Sequence, residues 1–183
     1  MRVVFADRDG VINRDRDDYV KSVEEFEFLP GALEALRRLR EAGWRVVIIS
    51  NQAAVGKGLM PPEALAEIDR LMRSQVSAAG GKIEATYYCP HRQEDGCDCR
   101  KPAPGLIRRA SRDLGIDPRD AVFVGDSARD VVAGRAALCR TVAVLSGSLT
   151  AAEALALDPP PDFVAEGLAE AADWIIQVAD LKS

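Results

Sequence analysis

The sequence predicts an α/β fold, a three-layer, doubly wound, Rossmann-like parallel sheet with helices on both faces. Three observations carry that reading. Short β-branched runs alternate with longer stretches of helical apolar spacing along the chain. The run WRVVIIS (44–50) is almost continuously apolar, as in a strand covered on both faces by helices. The helical stretches carry their own punctuation: 61–80 opens on two prolines and closes on glycine.

The elements follow in order. RVVFA (2–6) is a strand that runs into acidic residues, and GALEALRRLREAG (31–43) is an amphipathic helix with a glycine stop. The strand at 44–50 and the helix at 61–80 come next, then IEATYYC (83–89) as a third strand. PAPGLIRRASRDLG (102–115) is a helix after a proline-rich start, AVFVGD (121–126) a strand, ARDVVAGRAAL (128–138) a helix and TVAVL (141–145) a last core strand. Residues 151–183 hold two weaker helical patterns around a short edge strand at 162–165. With right-handed crossovers the strand C-termini share one edge, and ligands bind in the crevice outside it.

Composition narrows the function. The 183 residues suit a single domain spanning 1–183, 48% hydrophobic and 29% charged, the balance of a soluble protein. The net charge of −5 and the lack of a basic block argue against a nucleic-acid partner. The lack of a long apolar run or cleavable leader argues against a membrane or secreted location, so a cytoplasmic monomer is expected. Arginine outnumbers lysine 19 to 5, which makes each lysine worth placing.

Chemistry gathers at the predicted strand ends. Asp7 and Asp9 follow the first strand, with Gly10 permitting a sharp departure. Ser50, Asn51 and Gln52 follow the second, Arg100 and Lys101 stand before the fourth helix, and Asp126, Ser127 and Asp130 follow the fourth strand. Clustered carboxylates hold Mg²⁺ through oxygen, while lysine, hydroxyl and helix N-termini hold phosphate. Singly each has a bland reading as a cap or turn residue. Four segments placing complementary groups on one edge is the stronger argument.

Cysteine usage points to a second metal. Cys89, His91, Cys97 and Cys99, in the loop 89–99, offer three thiolates and the chain's only imidazole, a closed set suited to a structural Zn²⁺. Cys97 and Cys99 are too close in sequence to bridge comfortably, and a reducing compartment disfavours disulfides. Cys139 reads as a small buried hydrophobe in the last core helix.

DRDGVIN (7–13), SNQ (50–52), CRKP (99–102) and GDSARD (125–130) resemble, in order and spacing, the four motifs of the haloacid-dehalogenase superfamily of phosphatases. The resemblance runs to about residue 145. FEFLPG (26–31) and the loop CPHRQEDGCDCRKP (89–102) narrow it to the heptose bisphosphate phosphatases, with the histidinol-phosphate phosphatases close by.

The resemblance implies a fold without a cap domain and a Mg²⁺-dependent phosphatase acting on a small phosphorylated metabolite, a sugar bisphosphate. It makes Asp7 the nucleophile and Asp9 the acid and base. Asp7, Asp9 and Asp126 become the Mg²⁺ ligands, and Ser50, Asn51, Gln52 and Lys101 the phosphate holders. Arg100 is expected on a second phosphate, Asp15 and Tyr19 on sugar hydroxyls, and Asp130 and Ser127 behind the reacting groups. The zinc loop is expected to fix both Arg100 and Lys101. Relatives often carry lysine where this chain has Ser127, so one substrate-contacting cation is expected to be missing.

Histidinol phosphate is the alternative substrate, suited by the five-residue spacer between His91 and Cys97. A phosphoacceptor signalling domain fits less well, because Asp9 supplies an acid and base that a long-lived acyl phosphate would not want. A non-catalytic zinc module would not need Asp7, Asp9, Lys101 and Asp126 together.

Overall fold

The computed structural model describes residues 2–180, so the end of the expected tail helix, 181–183, lies outside the described residues. Six parallel strands form one sheet in the order β3-β2-β1-β4-β5-β6. They are β1 Val3–Ala6, β2 Arg45–Asn51, β3 Ile83–Cys89, β4 Ala121–Gly125, β5 Arg140–Val144 and β6 Phe163–Ala165. The chain winds outward from β1 in one direction, then restarts at β4 and winds the other way. The turning point lies between β1 and β4, which pair in register from Val3↔Ala121 to Ala6↔Val124. At such a point the connecting loops diverge and open a crevice.

The helices are α1 Ala32–Glu41, α2 Ala53–Gly56, α3 Pro62–Ala78, α4 Gly105–Leu114, α5 Ala128–Ala136, α6 Ala151–Leu155 and α7 Leu168–Asp180. Strand residues alternate faces and so feed two cores. Val4, Ala6, Val46, Ile48, Val122 and Val124 meet Leu36 and Leu39 of α1, Met72 of α3 and Ile175 of α7. Val3, Phe5, Val47, Ile49 and Phe123 meet Leu106 and Ile107 of α4 and Ala133 of α5. Cys139 is buried in this second core, between α5 and β5 rather than within a helix.

Two sequence expectations change. The helix expected from 102 begins at Gly105. Pro102 and Pro104 cannot continue a helical ladder, and each restricts the residue before it, so 101–104 form a turn. The short α2, directly after β2, carries no periodic pattern long enough to announce it. Among the described residues, no element outside the sheet and its helices is large enough to form a covering domain.

Candidate active site

The loops at the C-terminal ends of β1, β2 and β4 converge on a cavity of about 280 Å³ lined by Asp7, Asp9, Ser50, Lys101, Asp126 and Asp130, among others. Lys101 is the organising charge. Its Nζ lies 2.9 Å from Asp7 Oδ2 and 2.6 Å from Asp130 Oδ1, and it donates to the Ile49 carbonyl at 3.0 Å. The residue is only 2% exposed, so its ammonium survives on these partners. Burial alone would lower its pKa, but Asp130 and Asp7 raise it above the ordinary lysine value.

Asn51 accounts for the placement of Lys101. Its amide accepts the Lys101 N–H at 3.0 Å and donates to the Lys101 carbonyl at 3.1 Å. Asn51 lines the cavity, yet its side chain is spent on this backbone clamp. Lys101 is therefore pinned to the end of β2 as well as following directly on the cysteine loop. Arg100 reaches back to that loop, donating from Nη1 to the His91 carbonyl at 3.2 Å.

Asp9 faces a different set of partners. Arg8 grips it through Nε and Nη2 at 2.8 to 3.2 Å. Asn13 donates to Oδ1 at 2.8 Å and Gln52 to Oδ2 at 2.7 Å. Burial pushes the Asp9 carboxyl up, but the Arg8 charge and these hydrogen bonds outweigh it and hold Asp9 below the usual carboxylate range. Gln52, expected on phosphate, is 2% exposed and points at Asp9 and Ser50 instead of the cavity. Arg8 is fully buried; the sequence signal for it was an arginine lodged between two acids that could not both be charged alone.

Asp7 and Asp126 are raised. Burial is the main cause for both, and it carries Asp7 to about 6, with Asp130 adding to the shift and Lys101 opposing it. Asp126 is pushed to about 7, with the Asp7 and Asp130 charges adding to burial. One oxygen from each of Asp7, Asp126 and Asp130 lies within 4.8 Å of the others. Crowded carboxylates of this kind, all oxygen donors, suit a hard divalent cation that would relieve the repulsion.

Ser127 caps α5: its N–H and Oγ reach Asp130 Oδ2 at 3.1 and 2.6 Å. Asp130 thereby joins the cap of α5 to Lys101. Asp15 and Tyr19 line the mouth of the cavity, and the Tyr19 hydroxyl accepts from Lys57 at 2.7 Å. Two lining residues escaped the sequence reading. Arg129, in the first turn of α5, is exposed and faces both this cavity and a neighbouring one shared with Arg100. Ser148 lies after β5. Arg129 had no signal beyond its place beside Asp130 in GDSARD, and Ser148 none beyond a turn composition.

The cysteine loop gathers its donors. Cys99 Sγ lies 3.2 Å from Cys89, 3.3 Å from Cys97 and 3.2 Å from His91 Nδ1. Cys89 lies 3.6 Å from both Cys97 and His91 Nδ1. A tetrahedron with metal–sulfur bonds of about 2.3 Å has edges of about 3.8 Å. The four donors thus stand ready to close on one metal ion, and none of the cysteines is in a disulfide.

Comparison with known proteins places this geometry. A family model described as HAD-hydrolase-like matches residues 98–171. The chain is 41% identical over 145 residues to the D-glycero-beta-D-manno-heptose-1,7-bisphosphate 7-phosphatase of Pseudomonas aeruginosa, covering 79% of this chain and 82% of that one. It is 38% identical to the enzyme of the same name from Bordetella bronchiseptica, over 98% of this chain and all of the other. The crystal structure of the D,D-heptose 1,7-bisphosphate phosphatase from B. bronchiseptica, complexed with magnesium and phosphate, superposes with a TM-score of 0.90, covering 97% of this chain and 99% of that one at 38% identity.

Proposed function

Because the chain belongs to the D-glycero-beta-D-manno-heptose-1,7-bisphosphate 7-phosphatase family of haloacid-dehalogenase-like hydrolases, we propose that Asp7 attacks the 7-phosphate of heptose 1,7-bisphosphate. The protein is a phosphoric monoester hydrolase with a small phosphorylated metabolite as substrate. The observation that carries the residue roles is the Asp7–Lys101 contact of 2.9 Å at the point where the sheet reverses its winding.

In the first step an Asp7 carboxylate oxygen bonds to phosphorus and the bond to the sugar oxygen breaks. Asp9 supplies the proton that the departing oxygen takes up. Water then attacks the aspartyl-phosphate, its proton passes to Asp9, and Asp7 and inorganic phosphate are released. Asp9 is charged and braced by Arg8, Asn13 and Gln52, which is the state the second step requires. An incoming phosphate anion raises the pKa of Asp9 and favours the proton needed for the first step.

Lys101 and Ser50 hold phosphate oxygens where transition-state charge collects. The Asp7 and Asp126 carboxylates and the Asp9 carbonyl would hold Mg²⁺, which when bound supplies the charge that lets an anionic nucleophile meet an anionic phosphate.

We assign Zn²⁺ to Cys89, His91, Cys97 and Cys99, on the donor set and its near-tetrahedral spacing. Arg100 and Arg129, with no ion-pair partner among the described residues, flank the same small cavity of about 310 Å³. They take the second, non-reacting phosphate, so Arg129 supplies the cation that Ser127 does not. Asp15 and Tyr19 face the sugar. The thiol-rich loop suits the reducing cytoplasm.

The test is phosphate release with Mg²⁺ from heptose 1,7-bisphosphate and histidinol phosphate, compared by kcat/KM. A preference of about 100-fold or more for the bisphosphate is expected, from two guanidinium contacts worth about 1.5–3 kcal/mol each. Preference for histidinol phosphate would move the specificity to the short cysteine loop and overturn the substrate.

A further inference from the structure

The turn after β5, Ser146-Gly147-Ser148, lies beyond the last sequence motif and wraps around Asp126. The Ser148 N–H donates to Asp126 Oδ2 at 2.9 Å, and Ser148 Oγ and the Leu149 N–H both reach the Asp126 carbonyl at 3.0 Å. A Cβ on Gly147 would stand 2.1 Å from Asp126 Oδ2, and one on Gly10 would stand 2.5 Å from the same atom. Two loops, after β1 and after β5, thus press bare backbone against the same carboxyl group. Ser146 Oγ donates to the Gly10 carbonyl at 2.7 Å and ties the two loops together. Asp126 is 5% exposed, and the two glycine loops leave its side chain little room on their side. Oδ2 is committed to the turn, while Oδ1 accepts no hydrogen bond among the described residues.

We propose that residues 146–148 are a positioning element for the divalent cation: they fix the Asp126 carboxylate so that one oxygen is turned toward the ion beside Asp7. This rests on reading Asp7 and Asp126 as Mg²⁺ ligands. The turn acts on the ion through Asp126, and of its residues Ser148 also lines the cavity. Partners that orient a ligand typically change metal affinity about 10- to 100-fold when removed. Gly147 is required for space alone.

The test is Mg²⁺ binding to the zinc-loaded protein by titration calorimetry, beside the Mg²⁺ dependence of turnover. Gly147→Ala is expected to weaken Mg²⁺ binding about tenfold or more. The Mg²⁺ concentration for half-maximal rate should rise by the same factor, with kcat recovering to within about threefold at saturating Mg²⁺. Ser146→Ala, which removes only the tie between the loops, is expected to weaken binding about two- to fivefold in a protein of unchanged fold.

Unchanged Mg²⁺ affinity in a folded Gly147→Ala protein overturns the proposal, as does a lost kcat that Mg²⁺ does not restore. If Gly147→Ala does not fold, unchanged affinity in Ser146→Ala overturns it. Failure of the underlying ligand reading looks different: Asp126→Asn would then bind Mg²⁺ as tightly as the wild type.

Discussion

Asp7 and Asp9 are separated by one residue and differ in charge state because their neighbours differ. Asp7 is held by one lysine and pushed upward by burial, and Asp9 is braced by three donors and lowered. Such divergence is how paired acids divide nucleophile from proton carrier. Asp7→Asn is expected to cut kcat about 10⁴-fold or more with folding and zinc content intact; circular dichroism and metal analysis beside the assay check it. Gln52→Leu removes one of the donors on Asp9 and is expected to lower kcat about tenfold with little change in KM, which steady-state kinetics on the bisphosphate would show.

At this scale the sequence was legible in kind and not in direction. It put Asn51 and Gln52 at the right edge. Whether an amide beyond a strand end turns outward or inward depends on the neighbouring loops, which one chain's pattern does not encode. Both turn inward, one to hold Lys101 and one to hold Asp9.

Among elements, the cysteine loop and the first turn of α5 face each other across the second cavity. The sequence reading had the loop fixing both Arg100 and Lys101. The structure adds an anchor to each, Asn51 on the Lys101 backbone and the His91 carbonyl on Arg100. Arg100→Ala and Arg129→Ala are each expected to raise KM for the bisphosphate about tenfold or more, and kcat should fall less; the kcat and KM split measures this. An equal loss on a monophosphate substrate would count against the second-phosphate role. Removing the metal proposed for the loop should act on KM in the same direction, because it frees Arg100 while Asn51 still holds the Lys101 backbone.

Three motif positions were legible because each ends a strand with a distinct composition, and the fourth, CRKP, because it follows the clustered cysteines before α4. The turn at 146–148 was not, since serine and glycine populate turns everywhere.

For the molecule as a whole, the crowded acids couple stability to pH and to the cation. Asp7 near 6 and Asp126 near 7 stand above the ordinary 3.8, so the folded protein without magnesium holds more protons than the unfolded chain across that window. The stabilisation from these groups is complete below about pH 4 and is lost as pH rises through about 6 to 7. Magnesium replaces the protons. Its effect on the melting temperature of the zinc-loaded protein should be small near pH 5 and large near pH 7.5, as thermal scans at both values would show. A magnesium shift that is equal at both would contradict the raised acids.

The doubly wound class was readable from the alternation of strands with helices, and all six strands were placed to within a residue or two. The short edge strand β6 was legible as a weak pattern because only three residues pair.

Cys89 closes strand β3, which lies at one margin of the sheet, and it is buried in the second core while offering its sulfur to the metal loop. Its carbonyl also accepts the Gln52 N–H at 2.7 Å. The metal ion proposed there would clamp the tip of a margin strand whose outer backbone groups have no neighbour in the sheet. Without the clamp the tip frays and offers those groups to a second molecule, the usual route by which sheet margins aggregate. Zinc-stripped protein should therefore scatter light well below its melting temperature, and Arg100→Ala protein with zinc in place should stay clear.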